Sequence, residues 1–349
     1  MNRFAEKILD KINNSQGVLI TSPQNIRYFS GFTSEDCMIY ISHSVCAILT
    51  DFRYAIQANE QAKGYEVITK ETLEFLRNVQ ETEILIEEEH MTLAREKQLR
   101  EKLTDKELIP SQKLISSFRQ VKDIWEIEKI KQAEQLGDNA FEYILDYIKP
   151  GMTEEEVSLE LEFYMRRNGA SGLAFETICA SGIRSAMPHG TASKKPIKKG
   201  ELLTLDFGCV LDGYCSDMTR TVVIDHISDT RQEEIYNIVL KAQKEALKYI
   251  KAGMKCAEAD SIARKVIADA GYGECFGHSL GHSLGLQVHE LPNLSPKSTD
   301  VLVAGNVVSV EPGIYIEGFG GVRIEDIAAI TDNGMENLTC SPKELIIIK

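Results

Sequence analysis

No apolar run in this sequence approaches the roughly 20 residues that a membrane-spanning helix needs. Cysteine is present but unpatterned. The eight residues form no CxxC pair and no regular framework, which argues against a thiolate metal site or a disulfide scaffold and fits the reduced thiols of a cytoplasmic protein. Positive charge is in deficit: 39 Lys and Arg face 53 Asp and Glu, a net charge of −14. Such a surface is unsuited to nucleic acid or an anionic membrane, and it leaves room for bound cations. The first ten residues alternate charged and apolar positions as an amphipathic helix does, without the apolar centre of a signal peptide. What remains is ordinary: 43% apolar and 26% charged residues over 349 positions, enough for two domains.

Residues 1–120 read as a small α/β domain. Val18-Leu19-Ile20, Met38 to Ile41, Cys46 to Thr50 and Glu83 to Ile86 are short strands, Thr21-Ser22-Pro23 is a turn, and Arg53 to Lys63 is a helix. No catalytic cluster appears there. The expected role is a scaffold that forms a dimer, the rival being that Asp51-Phe52-Arg53-Tyr54 lends a side chain to a neighbouring site. The boundary falls near Phe118 to Lys122. Asp123 then caps a long helix from Ile124 to about Tyr147, with Ile127, Ile130, Ala133 and Leu136 at helical spacing.

Beyond that helix the chain repeats itself. Residues 145–152 match 247–254, 199–208 match 304–313, and Gly213 to Asp217 matches Gly321 to Glu325, in the order helix, helix, strand with carboxylate, strand with carboxylate. Two copies of one α+β unit, related by a pseudo-twofold axis, are expected. In the first copy, Asp212-Gly213 between apolar runs predicts a hairpin that puts Asp206 and Asp217 on one face. In the second, Glu311 ends a strand before Pro312, and the alternation of Gly321 to Glu325 puts Arg323 and Glu325 on one face. A twofold relation brings Asp206, Asp217, Glu311 and Glu325 together. Four buried carboxylates need cations, and oxygen-rich ligation favours Mn, Co, Fe or Zn. A fifth ligand is expected among the histidines of two stretches, one holding His189 and the other His278, His282 and His289.

These motifs resemble the Xaa-Pro peptidases, the aminopeptidase P and prolidase branch of the pita-bread metallopeptidases. The likeness rests on Met187-Pro188-His189-Gly190, Asp206-Phe207-Gly208, Ser216-Asp217-Met218-Thr219-Arg220-Thr221, His278-Ser279-Leu280-Gly281-His282, His289-Glu290, Glu311-Pro312-Gly313-Ile314-Tyr315 and Arg323-Ile324-Glu325-Asp326, with Tyr28 to Thr33 and Thr50 to Tyr54 near the N-terminus. It implies a C-terminal pita-bread fold over 121–349, internally duplicated, preceded by a creatinase-like α/β domain over 1–120. It implies two divalent metal ions, Mn first and Co or Zn next, on Asp206, Asp217, His282, Glu311 and Glu325. Glu311 is also the candidate base. His189 and His289 are expected to contact substrate, and His278 to hold the intermediate. Arg323 is expected to orient carboxylates, and Arg220 to form a structural salt bridge. Ser283 departs from the family's usual glycine. The expected reaction is cleavage between an N-terminal residue and proline in a peptide substrate, by a cytoplasmic homodimer. The first reading is an aminopeptidase; the alternatives are an Xaa-Pro dipeptidase and, behind it, a non-catalytic binding protein of the same fold.

Overall fold

The computed structural model describes residues 3–34 and 36–349. The chain divides into two compact units, Met1–Arg119 and Gln120–Lys349. The first holds a six-stranded mixed sheet in the order Glu66–Ile68, Cys46–Leu49, Met38–Ser42, Gln16–Ile20, Glu83–Ile86, Glu107–Pro110. Its central strands are apolar without alternation, and Val18, Leu19, Ile20, Ile39, Tyr40 and Ile41 are all inaccessible. Strands covered on both faces have that pattern. The residues read as a turn at Thr21-Ser22-Pro23 instead start the helix Pro23–Ser30. Proline tolerates the first helical turn because its missing N–H has no partner there anyway. The Glu87 carboxylate accepts from the Thr21 and Ser22 amides and so completes the cap. The helix expected from Arg53 to Lys63 begins as a 3₁₀ turn at Phe52–Tyr54 and runs on as Ala55–Gln61.

The second unit is an α+β duplication. Asp123 and Glu126 form a reciprocal capping box that starts the helix Ile124–Tyr147. In the first half, this helix and Glu154–Arg167 precede the strands Ile178–Ser181, Leu202–Phe207 and Met218–Ile224. In the second half, Thr230–Tyr249 and Cys256–Asp269 precede Gly281–Ser283, Val307–Val310 and Asp326–Thr331. Each half has its own core under its helices: Leu136, Ala140 and Phe141 pack with Leu203, Leu205 and Phe207, and Val239, Ala242 and Ala246 with Val308, Val310 and Ile314.

The long hairpin of each half sets the carboxylates. In the first, Asp206 pairs with Thr219 and Phe207 with Met218, and the same register continues through Val210 with Cys215 and Leu211 with Tyr214. Asp217 therefore faces Gly208 and lies diagonally from Asp206 on the same side. Asp212 and Gly213 turn the chain at φ 50° and 84°, as a two-residue turn with both positions left-handed requires. Gly208 is obligatory for another reason: a Cβ there would sit 2.0 Å from the Ser216 carbonyl oxygen. In the second hairpin, Val310 pairs with Asp326 and Gly313 with Arg323, so Glu311 faces Glu325 directly. By register, the first-half counterpart of Glu325 is thus Thr219, and the Thr219 hydroxyl donates to Glu325 Oε2 at 2.7 Å.

Arg220 crosses between the two halves, 1% exposed. Its guanidinium pairs with Asp326 at 2.8 Å and donates to the carbonyls of Thr219, Glu325, Pro342 and Ser341. Without the guanidinium, Asp326 keeps Lys343 and Asn337 as partners, and the cost falls on the backbone carbonyls left without their donor. Arg220→Met is expected to lower unfolding stability by about 1–3 kcal/mol in a urea titration; an unchanged midpoint would show that these carbonyls find other donors.

Candidate active site

Asp206 sits in the strand Leu202–Phe207, Asp217 just before Met218–Ile224, and His282 in Gly281–Ser283. Glu311 follows Val307–Val310, and Glu325 lies between Gly320–Arg323 and Asp326–Thr331. All five face one cavity of about 490 Å³, which His189, His278, His289 and Arg323 also line. Ligand atoms of Asp217, His282 and Glu325 lie within 4.8 Å of one another. His282 Nε2 is 3.6 Å from Asp217 Oδ2 and 3.4 Å from Glu311 Oε1.

The electrostatics of this cluster call for a cation. Burial, reinforced by the neighbouring carboxylates, raises the Asp217 and Glu325 carboxyls far above the usual range and Glu311 to about 7. Burial, and next the nearby His289, lowers His282 to about 4, so its ring is neutral at pH 7. Its ring has two backbone carbonyl partners, Ser283 at 3.3 Å from Nδ1 and Val288. With its proton on Nδ1, the ring turns the Nε2 lone pair towards two carboxyl groups, a repulsive contact unless a proton or a positive ion lies between them. Asp206 makes the same demand: Oδ2 accepts from Arg323 Nη2 at 2.5 Å, while Oδ1 is buried with no hydrogen-bond partner. The donor set fits divalent metal.

A second ring of side chains holds the first. The Ser309 hydroxyl accepts from the His282 amide and donates to Glu311 Oε1, both at 3.0 Å. Arg323 donates to Asp206 and, at 2.7 Å, to the Tyr315 hydroxyl. That hydroxyl is 2.9 Å from His278 Nε2, and His278 Nδ1 is 2.8 Å from the Ser279 carbonyl, so both ring nitrogens of His278 are engaged. The His289 ring lies 4.3 Å from that of His282, centroid to centroid, and burial lowers its basicity. His189 lines the cavity wall beside Pro188 and Thr191.

Sequence reasoning assigned nothing to Tyr315 or Glu134. Glu134 is inaccessible, and its Oε1 accepts from the Asp217 amide at 2.7 Å. The available signal was a carboxylate inside the apolar stripe of a helix, four residues after Ile130 and four before the buried Asp138.

Residues 128–332 match the family model described as metallopeptidase family M24, and residues 6–121 match the creatinase/prolidase N-terminal domain. The chain belongs to metallopeptidase family M24. It is 40% identical to an Xaa-Pro dipeptidase of Pyrococcus furiosus over 97% of each chain. The solved structure of an Xaa-Pro dipeptidase from Bacillus anthracis superposes with a TM-score of 0.94 at 45% identity, covering 99% of this chain and 98% of that one. That of an X-Pro aminopeptidase from Thermotoga maritima gives 0.93 at 39%, covering 99% and 100%. The M24 chain is therefore a metal-dependent peptidase with a creatinase-type N-terminal domain and a pita-bread domain. Among the described residues, no helix is long and apolar enough to cross a membrane.

The raised carboxyls have a consequence for the metal-free M24 protein. An unperturbed histidine is half protonated near pH 6.5 and mostly neutral only above about pH 7.5, and His278 and His282, each lowered to about 4 by burial, are neutral throughout that range. Above it the buried carboxyls still hold protons: burial raises Asp217 and Glu325 well above their usual range and Glu134 to about 8. The folded chain then holds protons that the unfolded chain has released, so stability falls as pH rises through this range. The melting temperature of chelator-treated protein is expected to drop as pH rises above about 7.5, and added divalent metal should flatten the slope. A flat metal-free profile would show that these carboxyls ionise freely.

Proposed function

We propose that this enzyme is an Xaa-Pro dipeptidase, hydrolysing the bond between an N-terminal residue and a C-terminal proline. The observation that carries the reading is the single cavity in which Asp206, Asp217, His282, Glu311 and Glu325 meet, with Asp206 Oδ1 left without a partner. Those five side chains would hold two divalent ions, and their mostly hard oxygen donors favour Mn. When bound, the ions would polarise the scissile carbonyl and acidify a water. The aminopeptidase reading that the sequence suggested first gives way to its alternative, because the Pyrococcus furiosus relative and the Bacillus anthracis structure are both named Xaa-Pro dipeptidases.

The chain's own residues divide the remaining work. Glu311 receives the proton of the attacking water; the Ser309 hydroxyl on Oε1 fixes the orientation of its carboxylate. His189 and His289 face the space beside the metal ligands and donate to oxygens of the substrate. An Xaa-Pro bond is a tertiary amide without an N–H, so recognition must use the carbonyl and the ring. Ile178, Pro188 and Val288 give the cavity the apolar wall a proline ring needs. Arg323 and Tyr315 keep Asp206 and His278 in place.

Three peptides test the substrate. Ala-Pro is expected to be cleaved, Ala-Pro-Ala slowly or not at all, and Ala-Ala not at all. Equal rates on Ala-Pro and Ala-Ala would falsify the proline requirement, and preference for Ala-Pro-Ala would restore the aminopeptidase. Two variants test the division of roles. Glu311→Gln should lose bound metal and about 10²–10⁴-fold in kcat. His289→Ala should keep its metal, measured by plasma emission spectroscopy, and lose about 10²-fold in kcat/KM. Parallel metal loss in both variants would remove the distinction between ligand and substrate-binding residue.

A further inference from the structure

Lys122, the residue before the helix cap Asp123, carries its ammonium into the protein: its side chain is 1% exposed. Nζ donates to the Ser283 hydroxyl and to Glu290 Oε2, each at 3.0 Å, and the Glu290 side chain is 4% exposed. The Ser283 hydroxyl donates onward to the Val307 carbonyl at 2.8 Å. Ser283 and Glu290 are themselves cross-strand partners, so together they form the neck of the loop 284–289. His282 is the residue just before that neck, and His289 is the last residue of the loop. The loop lies over the ion pair: a Cβ at Gly285 would be 3.0 Å from both Glu290 Oε2 and Lys122 Cε. Glu290 Oε1 accepts from the Gln287 amide inside the loop at 3.1 Å.

A buried ion pair adds little net stability, because desolvation consumes most of what the attraction supplies. What it does impose is geometry. We propose that Lys122 is a positioning residue, whose ammonium closes the neck of the 284–289 loop and so holds His289 against His282 at the cavity wall. The His282 main chain is held from outside the loop, through its amide on Ser309, while its ring bonds the carbonyls of Ser283 and Val288. Opening the neck therefore releases His289, while the backbone of the metal ligand stays anchored on Ser309. The catalytic part of this inference rests on the dipeptidase reading; the geometric part does not.

The test removes both charges together, in Lys122→Met/Glu290→Gln, so that no lone ion stays buried. Ser283→Ala, which keeps the ion pair and deletes one of its contacts, serves as a milder variant. Backbone hydrogen exchange of the full-length protein with its metal is read by mass spectrometry. Exchange over 284–289 is expected to rise at least tenfold in the double variant and by less in Ser283→Ala, with Leu202–Phe207 unchanged. Metal content should stay at the wild-type level. On Ala-Pro, kcat/KM should fall about tenfold or more, and adding His289→Ala should then cost far less than it does alone. Unchanged exchange over 284–289 overturns the proposal, as do losses that simply multiply with His289→Ala. If the double variant does not fold, Ser283→Ala carries the same comparison. If the wild-type enzyme leaves Ala-Pro intact, the dipeptidase reading fails, and the exchange measurement still decides the clamp.

Discussion

Like charges cannot be buried together without a counter-charge, and the Gln120–Lys349 unit is organised around that conflict. Asp217, Glu311 and Glu325 are pushed towards their neutral forms in the absence of an ion. Asp206 has one guanidinium and one oxygen with no partner. A scaffold that brings these groups together must be stiff enough to resist their repulsion. The stiffness comes from two continuous hairpins, each with its own helices and core, joined through Arg220 and the Thr219–Glu325 bond. Stability in such a protein is linked to metal, since an ion that binds only the folded chain adds its binding free energy to the fold.

The surrounding polar groups repeat one device, in which a side chain takes a backbone amide or carbonyl next to a functional residue. Glu134 does this at Asp217, Ser309 at His282 and Arg264 at His278, where its guanidinium donates to the His278 carbonyl at 2.8 Å. Control of the main chain fixes where a ligand's Cα lies while the ligand's own charged atoms stay free for metal or substrate.

Much of this was legible in the sequence. The carboxylates announced themselves as charged residues inside otherwise apolar strands, and the glycine-spaced histidines stood apart from any core pattern. The Asp212-Gly213 turn and the Asp123 cap carry local chemistry that tertiary packing did not override. Other features were hidden for physical reasons. Pro23 has the same fixed φ in a turn as in a first helical turn, and only Glu87, distant in sequence, decides between them. Matching Asp217 with Glu325 by sequence ignored the turn between the strands, where register makes Thr219 the counterpart. Lys122 looks like any boundary lysine until Ser283 and Glu290 fold over it.

The two turns differ by one residue. Leu211 pairs with Tyr214 across two residues, while Ile316 pairs with Gly320 across three, and Gly318 takes the left-handed position at φ 74°. Each turn therefore acts as a ruler for its returning strand. Side chains alternate between faces, so a deletion that shifted the pairing by one step would swing Asp217 or Glu325 away from the cavity and put its neighbour there instead. Length changes in these turns are tolerable only where the strands keep their pairing. The spacing between carboxylates is thus stored in the tips of the hairpins, remote from the atoms that do the chemistry, and inheritance of the site depends on residues that never touch it.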